Sequence, residues 1–423
     1  MELEKSKPLS LFIFTPLAFL VFIRPFISGL AYPAFELWYE ISIIFLVIMI
    51  FSAHGVYPER SRGVRLKNIV RVIRPGGESR TNPYILPISL LLLSYAISTI
   101  TSVNIPNSLK ESLKFLSYIS VFFAVSQTDS DQKKILIKAI IAAALIISVY
   151  SIYQYIWGYQ YTIDYLKKTN TAFLLESSYA RDILLSKRAI GTFPSPNILA
   201  GYLAMAFFLS LYIFFSGRNA LKIFPAVIIL IALIFTKSLG AWLILIAAVV
   251  VLFFISYDDF KNKKLLFAVY FILIAFTIAF IIVNRWERLT NLENPHNSIT
   301  QRLNYWRTSI AVIKDHPFLG VGPGNFQEVF LKYKVGLSTD TRYAHNILMH
   351  MWAENGALGF AGMLLLIAAF IYKSIIKSKY LFLAGLAFIL HNLIDITYFI
   401  PETGLFWWVI LGLLLIKKEA QAE

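Results

Sequence analysis

The chain of 423 residues is 58% hydrophobic and 16% aromatic, and only 15% of its residues are charged. Soluble domains are about half apolar and about a quarter charged, so this composition excludes an ordinary soluble protein and predicts a membrane protein. The net charge of +15 would suit nucleic acid in a soluble protein, but the aromatic residues lie in apolar runs and not among the basic residues, so we expect no nucleic-acid partner.

Apolar segments long enough to cross a hydrocarbon core of about 30 Å recur along the whole chain. They predict an all-α polytopic membrane protein, a single membrane domain over residues 1–423 with about 12 transmembrane helices. The predicted helices cover residues 9–29, 36–53, 84–102, 113–127, 135–156, 198–215, 222–236, 239–256, 265–284, 346–372, 380–398 and 404–416. The first is expected to be retained, because no small-residue cleavage site accompanies its apolar run.

Basic residues predict how these helices are oriented. Lys and Arg gather in short loops on one side of the predicted bundle, most densely over residues 54–83, as the positive-inside rule requires of cytoplasmic loops. An even number of helices then places both termini in the cytoplasm. The basic block at 54–83 is also the part of the chain expected to contact membrane lipids with anionic head groups.

Two long loops then face outward, over residues 157–197 and 285–345, and both contain helical patterning. The apolar residues that recur at helical spacing in the second loop are Leu303, Trp306, Ile310 and Ile313. This helix is expected to begin at a cap, Asn297 or Ser298, and to end before Pro317. We expect it to lie on the membrane surface with its apolar face toward the lipid.

The outward loops carry basic residues that the positive-inside rule does not explain. These candidates for anion binding are Arg188, Lys237, Arg285, Arg288, Arg302 and Arg307. A guanidinium offers a planar fork of donors that pairs with phosphate oxygens, so a polyprenyl-diphosphate lipid is the substrate expected at this depth. The alternative is that the arginines reach to lipid head groups or pair with Glu287, Glu293 and Asp315.

His345 lies at the mouth of the helix predicted over 346–372 and is the candidate catalytic group. A histidine with its ordinary pKa near 6.5 is largely neutral at pH 7 and can accept a proton from an attacking hydroxyl. The alternative is a histidine that caps the helix. Within the helices, His350 is expected to pack, and His391 and Asp395 are expected to share one helix face and form hydrogen bonds between helices.

Other polar patterns are interpreted as structural. Asp129, Ser130 and Asp131 resemble a metal-binding Asp-x-Asp pair, but they precede an apolar helix, where Asp and Ser are preferred N-caps. No Lys-Ser/Thr pair follows the glycines at 320–324, so no phosphate loop is predicted. With no cysteine and no other metal-spaced set of His, Asp and Glu, we expect a metal-independent site without a cofactor.

Three stretches, in this order along the chain, carry a family resemblance. They are Arg188-x-x-Gly191-Thr192-Phe193-x-x-Pro196-Asn197, then Arg302 with Trp306, Pro317 and Gly320-x-Gly322-x-Gly324-Asn325-Phe326, and then His345-Asn346 with Gly356 and Gly359. With them the chain resembles the O-antigen ligase/polymerase family of bacterial membrane glycosyltransferases, by motif over roughly residues 180–360. Gly356 and Gly359 are interpreted as packing positions that seat the helix after His345.

The resemblance implies a GT-C-like enzyme of the bacterial inner membrane, with both long loops in the periplasm. It implies O-antigen ligase activity, the transfer of a glycan from undecaprenyl diphosphate to a sugar hydroxyl of lipid A-core at the periplasmic face, with inversion at the anomeric carbon. His345 and Arg302 would be catalytic, Arg188 and Arg302 would bind the diphosphate, and Lys237 and Arg288 are further candidates for that contact.

One position departs from the family pattern. Leu239 stands where the family often has an arginine, and it cannot bind phosphate, which leaves one cationic contact in doubt.

The alternatives within the family differ in the acceptor. An O-antigen polymerase or a protein O-oligosaccharyltransferase would use the same donor; chain length and compact loops favour the ligase. A lipid-linked oligosaccharide flippase is the alternative of another class, and the few charges within the predicted helices argue against it.

Overall fold

The computed structural model describes residues 14–27, 33–56, 71–73, 79–177, 180–217, 219–256 and 297–415, with short pieces at 271, 274–275, 278–279, 282–283, 286 and 290–294. The first half contains α1 (Phe14–Phe26), α2 (Pro33–Val56), an antiparallel hairpin of β1 (Arg71–Ile73) and β2 (Ser79–Thr81), α3 (Ile85–Ile100), α4 (Ile105–Ser126), α5 (Ser130–Tyr153) and α6 (Tyr159–Lys168).

The second half is also helical. It contains α7 (Pro196–Phe215), α8 (Phe224–Phe235), α9 (Leu239–Ser256), α10 (Ser298–Asp315), α11 (Phe326–Tyr333), α12 (Ile347–Lys377), α13 (Lys379–Asn392) and α14 (Pro401–Leu413). Short 3-10 helices connect them, among them Thr397–Phe399 between α13 and α14. Apart from the β1–β2 hairpin, the described residues therefore agree with the predicted all-α fold.

Among the described residues, five helices are long and apolar enough to cross a membrane. They are Ala34–Ser52, Ser130–Lys168, Pro196–Phe215, Leu239–Ser256 and Ile347–Ile375. Large apolar side chains on α2, such as Trp38 and Phe45 at 67% and 62% exposure, suit contact with lipid. The number of 12 helices, the two outward loops and the cytoplasmic termini stay predictions, and most of the helix predicted at 265–284 lies outside the described residues.

The Asp129 N-cap that the sequence predicts at the start of α5 is confirmed. Asp129 Oδ1 accepts hydrogen bonds from Asp131 N at 2.9 Å and Gln132 N at 2.8 Å, and Gln132 Oε1 accepts one from Asp129 N at 3.1 Å. This capping box pairs backbone donors at a helix start that have no partner within the helix. Asp129 and Asp131 therefore have a structural role.

The fifth predicted helix continues further than expected. A π-helical turn over Gln154–Gly158 leads directly from α5 into α6, so the start of the predicted loop 157–197 is helical. Gly191 N donates to Gln154 Oε1 at 2.8 Å, and Gln154 Nε2 donates to Gly191 O at 3.1 Å. These two bonds attach the later part of the loop to the π turn.

The amphipathic helix predicted in the second loop is confirmed as α10. Asn297 caps it by accepting from Ile299 N at 2.9 Å, and the helix ends at Asp315, before Pro317. The face that packs on the protein is formed by Tyr305, Thr308, Ser309 and Val312. Leu303 and Ile310, on the predicted lipid-facing side, are 41% and 44% exposed. Contact of this face with a membrane stays a prediction.

The core of the bundle lies around α14 and the part of α7 up to Ser210, whereas Phe215 at the end of α7 is 59% exposed. Every residue of α14 is buried, with Trp407 and Trp408 among the largest fully enclosed side chains. A helix that is apolar around its whole circumference requires such a central position. α7 runs antiparallel to α13, and a Cβ on Gly201 near the start of α7 would contact His391 near the end of α13.

α12 is broken at Gly356, and the segment that follows α10 packs into the break. Gly356 has φ 65° and ψ −169°, a backbone conformation that is essentially restricted to glycine. The break frees backbone groups for pairing outside the helix. Val321 N donates to Ala353 O and Gly322 N donates to Glu354 O, each at 2.9 Å. The glycine-rich turn is thereby joined to the first half of α12.

Steric contacts explain why this junction uses glycine on both sides. A Cβ on Gly320 would overlap the Glu354 backbone, and a Cβ on Gly356 would overlap the Phe318 carbonyl. Gly359 faces α3, where an added Cβ would lie 3.3 Å from Ser94 Oγ. Gly356 and Gly359 are therefore packing positions, as the sequence predicts.

Gly356→Ala is expected to lower the thermal unfolding midpoint of the protein in detergent. A side chain in this conformation costs about 1–3 kcal/mol, and the overlap with the Phe318 carbonyl adds to that. Gly158→Ala is the control, because its Cβ would have ordinary contacts starting at 3.4 Å. Equal midpoints for the two variants would show that the break in α12 does not need glycine.

Candidate active site

Asn346, and not His345, caps α12. Asn346 Oδ1 accepts from Leu348 N and Met349 N, each at 3.0 Å, and its Nδ2 donates to Leu393 O at 3.0 Å beyond the end of α13. These bonds fix the entry of α12 against the turn that follows α13. The alternative in which His345 caps the helix is therefore wrong, and its imidazole is left for other contacts.

The backbone of His345 is strained, and neighbours from α10 hold it. His345 has φ 54°, a left-handed conformation that costs a non-glycine residue about 1–2 kcal/mol. Trp306 Nε1 donates to the His345 carbonyl at 3.3 Å. The Tyr305 ring stacks on the imidazole with 5.2 Å between centroids and 20° between planes. Strain of this kind persists only where surrounding contacts enforce it, and it is common at active sites.

One carboxylate connects Arg302 with His345. Arg302 NH2 donates to Asp395 Oδ2 at 2.7 Å, and Arg302 Nε donates to Ile394 O at 2.6 Å. The other carboxylate oxygen, Asp395 Oδ1, lies 3.8 Å from His345 Nδ1. That separation is longer than a hydrogen bond, although catalytic hydrogen bonds often shorten only when substrate is bound. The Asp395 side chain is 6% exposed, so this charge is shielded from water.

Burial and charge set the protonation of this group of residues. Burial lowers the pKa of the His345 imidazole from 6.5 to about 4, although the Asp395 carboxylate acts in the opposite direction. Burial also opposes ionisation of Asp395, but the Arg302 guanidinium, together with His391, His345 and the Ile396 backbone N–H, outweighs it and lowers the pKa of that carboxyl to about 2. At neutral pH the group therefore holds an ion pair and a neutral histidine.

His350 does more than pack, because it connects the His345 segment with the glycine-rich turn. Ala344 N donates to His350 Nδ1 at 3.3 Å, which assigns the ring proton to Nε2, 3.2 Å from Glu354 Oε2. The Glu354 carboxylate also accepts from Gly324 N at 2.8 Å and Phe326 N at 2.9 Å. Glu354 thus holds the backbone of the glycine-rich turn, and His350 holds the residue directly before His345.

A cleft of about 780 Å³ opens beside Arg302. Its lining residues are Arg188, Asn197, Leu239, Gly240, Leu243, Ser298, Ile299, Arg302, Leu303, Trp306 and Ile394. Arg188 and Arg302, from different loops in the sequence, therefore meet at one cavity. His345 adjoins the cleft through its carbonyl bond to Trp306 and through Asp395, the neighbour of Ile394.

Arg188 is held by acceptors on three sides. Its NH1 donates to both oxygens of Asp182, at 3.0 and 2.8 Å, its NH2 donates to Asn197 Oδ1 at 3.0 Å, and its Nε donates to Thr236 O at 3.2 Å. Both cleft arginines are thus paired with acids, but with Asp182 and Asp395. The sequence-based alternative named other acids, and for these two arginines it was wrong about the partners.

Among the described residues, the other cationic candidates, Lys237 and Arg307, do not line this cleft. Lys237, with φ 50°, donates from Nζ to Ser186 O at 2.9 Å and is not among the lining residues. Arg288 lies outside the described residues. Leu239, at the position where an arginine was expected, lines the cleft and gives it an apolar wall.

Sequence reasoning was wrong about the backbone at Asp395 and did not identify its partner. It placed His391 and Asp395 on one face of a continuous helix, but α13 ends at Asn392 and Asp395 lies in the turn that follows. Asn392 ends the helix by donating to Thr397 Oγ1 at 2.8 Å and accepting from Tyr398 N at 2.6 Å. In the sequence, Asp395 is an acidic residue within an apolar segment. Such a residue predicts a polar contact but does not say which residue is its partner.

Comparison with known proteins supports one family. Residues 224–364, about a third of the chain, match the family described as O-antigen ligase. The matched part runs from α8 through Arg302 and His345 into α12, whereas Arg188 and Asp395 lie outside it. No curated protein matches the chain. The family and the apolar helices indicate a membrane protein that is an enzyme of the glycosyltransferase type.

Asp395→Asn is expected to destabilise the protein by about 3 kcal/mol, because it leaves the Arg302 guanidinium without its buried counter-ion. Denaturant unfolding in detergent measures the loss. Asp131→Asn is the control: its partner is Lys134, both side chains are 65–70% exposed, and such pairs contribute less than about 1 kcal/mol. Similar small losses in both variants would mean that the Arg302–Asp395 pair does not hold this region together.

Proposed function

We propose that the protein transfers a glycan from undecaprenyl diphosphate to a sugar hydroxyl of lipid A-core, and the match of residues 224–364 to the O-antigen ligase family supports this. The reaction takes place at the periplasmic face of a bacterial inner membrane, with both termini of the chain in the cytoplasm. It needs no metal ion and inverts the anomeric carbon of the donor sugar.

The composition of the cleft is the observation that carries this proposal. One part of the lining is polar and cationic, with Arg188, Asn197 and Arg302; the rest is apolar, and Leu243 and Leu303 are 48% and 41% exposed on the outer surface. A polyprenyl diphosphate likewise has a charged part, the diphosphate, and an apolar part, the lipid chain. The guanidinium groups suit the diphosphate oxygens, and the apolar wall beside α9 suits the start of the lipid chain.

The reaction follows from these positions. An acceptor hydroxyl oxygen attacks the anomeric carbon, the bond from that carbon to the diphosphate oxygen breaks, and the hydroxyl proton goes to His345. Negative charge grows on the departing diphosphate, and Arg302 and Arg188 are already oriented by Asp395 and Asp182 to stabilise it. A single in-line attack inverts the anomeric carbon. The imidazolium that forms at His345 faces the Asp395 carboxylate.

The donor site alone does not select the acceptor. An O-antigen polymerase would use a second lipid-linked repeat, and a protein O-oligosaccharyltransferase would use a hydroxyl side chain. A flippase would move the donor and leave the glycosidic bond intact. Each is therefore an outcome of the experiment below.

His345→Ala is expected to lower glycan transfer about 100- to 10,000-fold, the usual contribution of a general acid–base group. Purified protein is mixed with undecaprenyl-diphosphate glycan and lipid A-core, with chelator present throughout, and the product is followed on gels. His345→Gln is measured beside it, because a glutamine can orient a hydroxyl but cannot take its proton. A general base requires both variants to be equally impaired, whereas a purely positioning role leaves His345→Gln active.

The control is His316→Ala, since His316 contacts Tyr333 at the other end of α10 and not the cleft. In the same preparations, Arg302→Ala should bind the donor more weakly while His345→Ala binds it normally. Near wild-type transfer by His345→Ala would reject the catalytic role of His345. Transfer to a second donor lipid or to a protein in place of lipid A-core would assign the corresponding acceptor.

Transfer should be insensitive to pH from about 8 down to about 5 and should fall below that. Burial lowers the pKa of His345 to about 4, so the neutral form that accepts a proton is lost only as the pH drops through that value. The profile of kcat/KM for the acceptor measures this, with donor binding followed separately at each pH. An acidic limb near 6.5 would contradict the burial of the imidazole.

A further inference from the structure

A second cavity, of about 880 Å³, lies at the same end of the bundle. Its lining residues are Glu36, Leu37, Glu40, Lys110, Glu111, Leu113, Lys114, Pro194, Arg342, Tyr343, Phe399, Ile400, Pro401 and Glu402. They come from the starts of α2, α4 and α14 and from the loops before α7 and α12. None of them lines the cleft described above, and the proposed transfer chemistry uses none of them.

The cavity adjoins the candidate catalytic residue. Two chain segments line both cavities: Pro194 lies between Arg188 and Asn197, and Phe399 follows Ile394 by five residues. Tyr343, which lines only the second cavity, lies two residues before His345 and stacks on Phe399 with 5.5 Å between ring centroids. Asp395 lies in the second of the shared segments, so its contact with His345 is close to both cavities.

The two cavities differ in charge. The cleft is lined by arginines without a carboxylate, whereas the second cavity contains Glu36, Glu40, Glu111 and Glu402 beside its three basic residues. Two of these bases share one acid: Glu111 forms ion pairs with Lys114 and, at 3.0 Å, with Arg342. Lys114 also donates to Phe399 O at 3.0 Å. Four carboxylates line the cavity, and as hydrogen-bond acceptors they suit hydroxyl groups and do not favour a second diphosphate.

Glu40 gives independent evidence for a ligand. Its side chain lines the cavity, and the residue is 3% exposed. Ser117 donates to Oε2, but Oε1 is buried and has no hydrogen-bond partner in the structure. A buried carboxylate oxygen without a donor is costly, so a donor from a bound molecule would be favourable.

We propose that this cavity is the acceptor subsite and binds the terminal saccharide of the acceptor through its hydroxyl groups. Sugar hydroxyls donate to carboxylates such as Glu40, and amino groups such as that of Lys110 donate to hydroxyl oxygens. Tyr343 supplies a partly exposed aromatic ring for the apolar face of a sugar. The proposal rests on the proposed function, because it places the acceptor on the side of His345 opposite the diphosphate.

Glu40→Gln is the direct test, since it keeps the size of the side chain while altering the carboxylate that faces the cavity. We expect the KM for the acceptor to rise roughly 10- to 100-fold, as when a hydrogen bond to a charged group is lost, with donor affinity unchanged. Kinetics are measured in nanodiscs with lipid A-core in one series and a second undecaprenyl-diphosphate repeat in the other. The series in which KM changes identifies the source of the saccharide.

Two tryptophan variants test whether the Glu40 substitution acts through the cavity or through the structure of the protein. Leu113→Trp places bulk in the cavity, while Leu116→Trp adds the same bulk on the exposed side of α4. Only the first should raise the acceptor KM. An unchanged acceptor KM in Glu40→Gln and Leu113→Trp would overturn this inference. If the wild-type protein transfers glycan to neither acceptor, it is the proposed function that fails.

Discussion

The ion pair between Arg302 and Asp395 is the interaction on which the rest of the candidate site depends. It joins α10 to the turn after α13, and its second carboxylate oxygen faces His345 at the start of α12. A buried pair is stable only if its geometry and hydrogen bonds offset the loss of water. Arg302 meets that condition through the Ile394 carbonyl, so one contact fixes the arginine, the aspartate and the surroundings of the histidine.

A second buried carboxylate, that of Glu354, holds the backbone of the glycine-rich turn. Glu354 accepts from Gly324 N and Phe326 N and lies beside His350, which in turn accepts from Ala344 N. Because α12 is broken at Gly356, carbonyls of its first half are also available to the glycine-rich turn. Irregular backbone that is shielded from water is stable only where other protein groups form hydrogen bonds with it, as they do at this junction.

Under the proposed function, the two cavities divide the substrates by chemistry. The cleft offers guanidinium groups and an apolar wall, which suit an anionic lipid, and the second cavity offers carboxylates and an aromatic ring, which suit a sugar. The strained His345 segment adjoins both, through the bond from Trp306 to its carbonyl and through Tyr343, which lines the second cavity. Trp306, Tyr305 and His350 restrain that segment. Their contacts therefore affect the positions of both substrates relative to His345.

The sequence by itself determined the helical membrane class and the cap at Asp129, because these follow from hydropathy and local hydrogen bonding. It limited the cap of α10 to Asn297 or Ser298, and the structure selects Asn297. The need for glycine at position 356 arises from the break in α12 and the nearby Phe318 carbonyl, which the sequence did not predict. The sequence also singled out Arg188, Arg302 and His345. Only the tertiary structure decided their partners, because an ion pair such as Arg302–Asp395 joins residues far apart in sequence. Likewise, the end of α13 at Asn392 depends on bonds to Thr397 and Tyr398, which helical periodicity does not register.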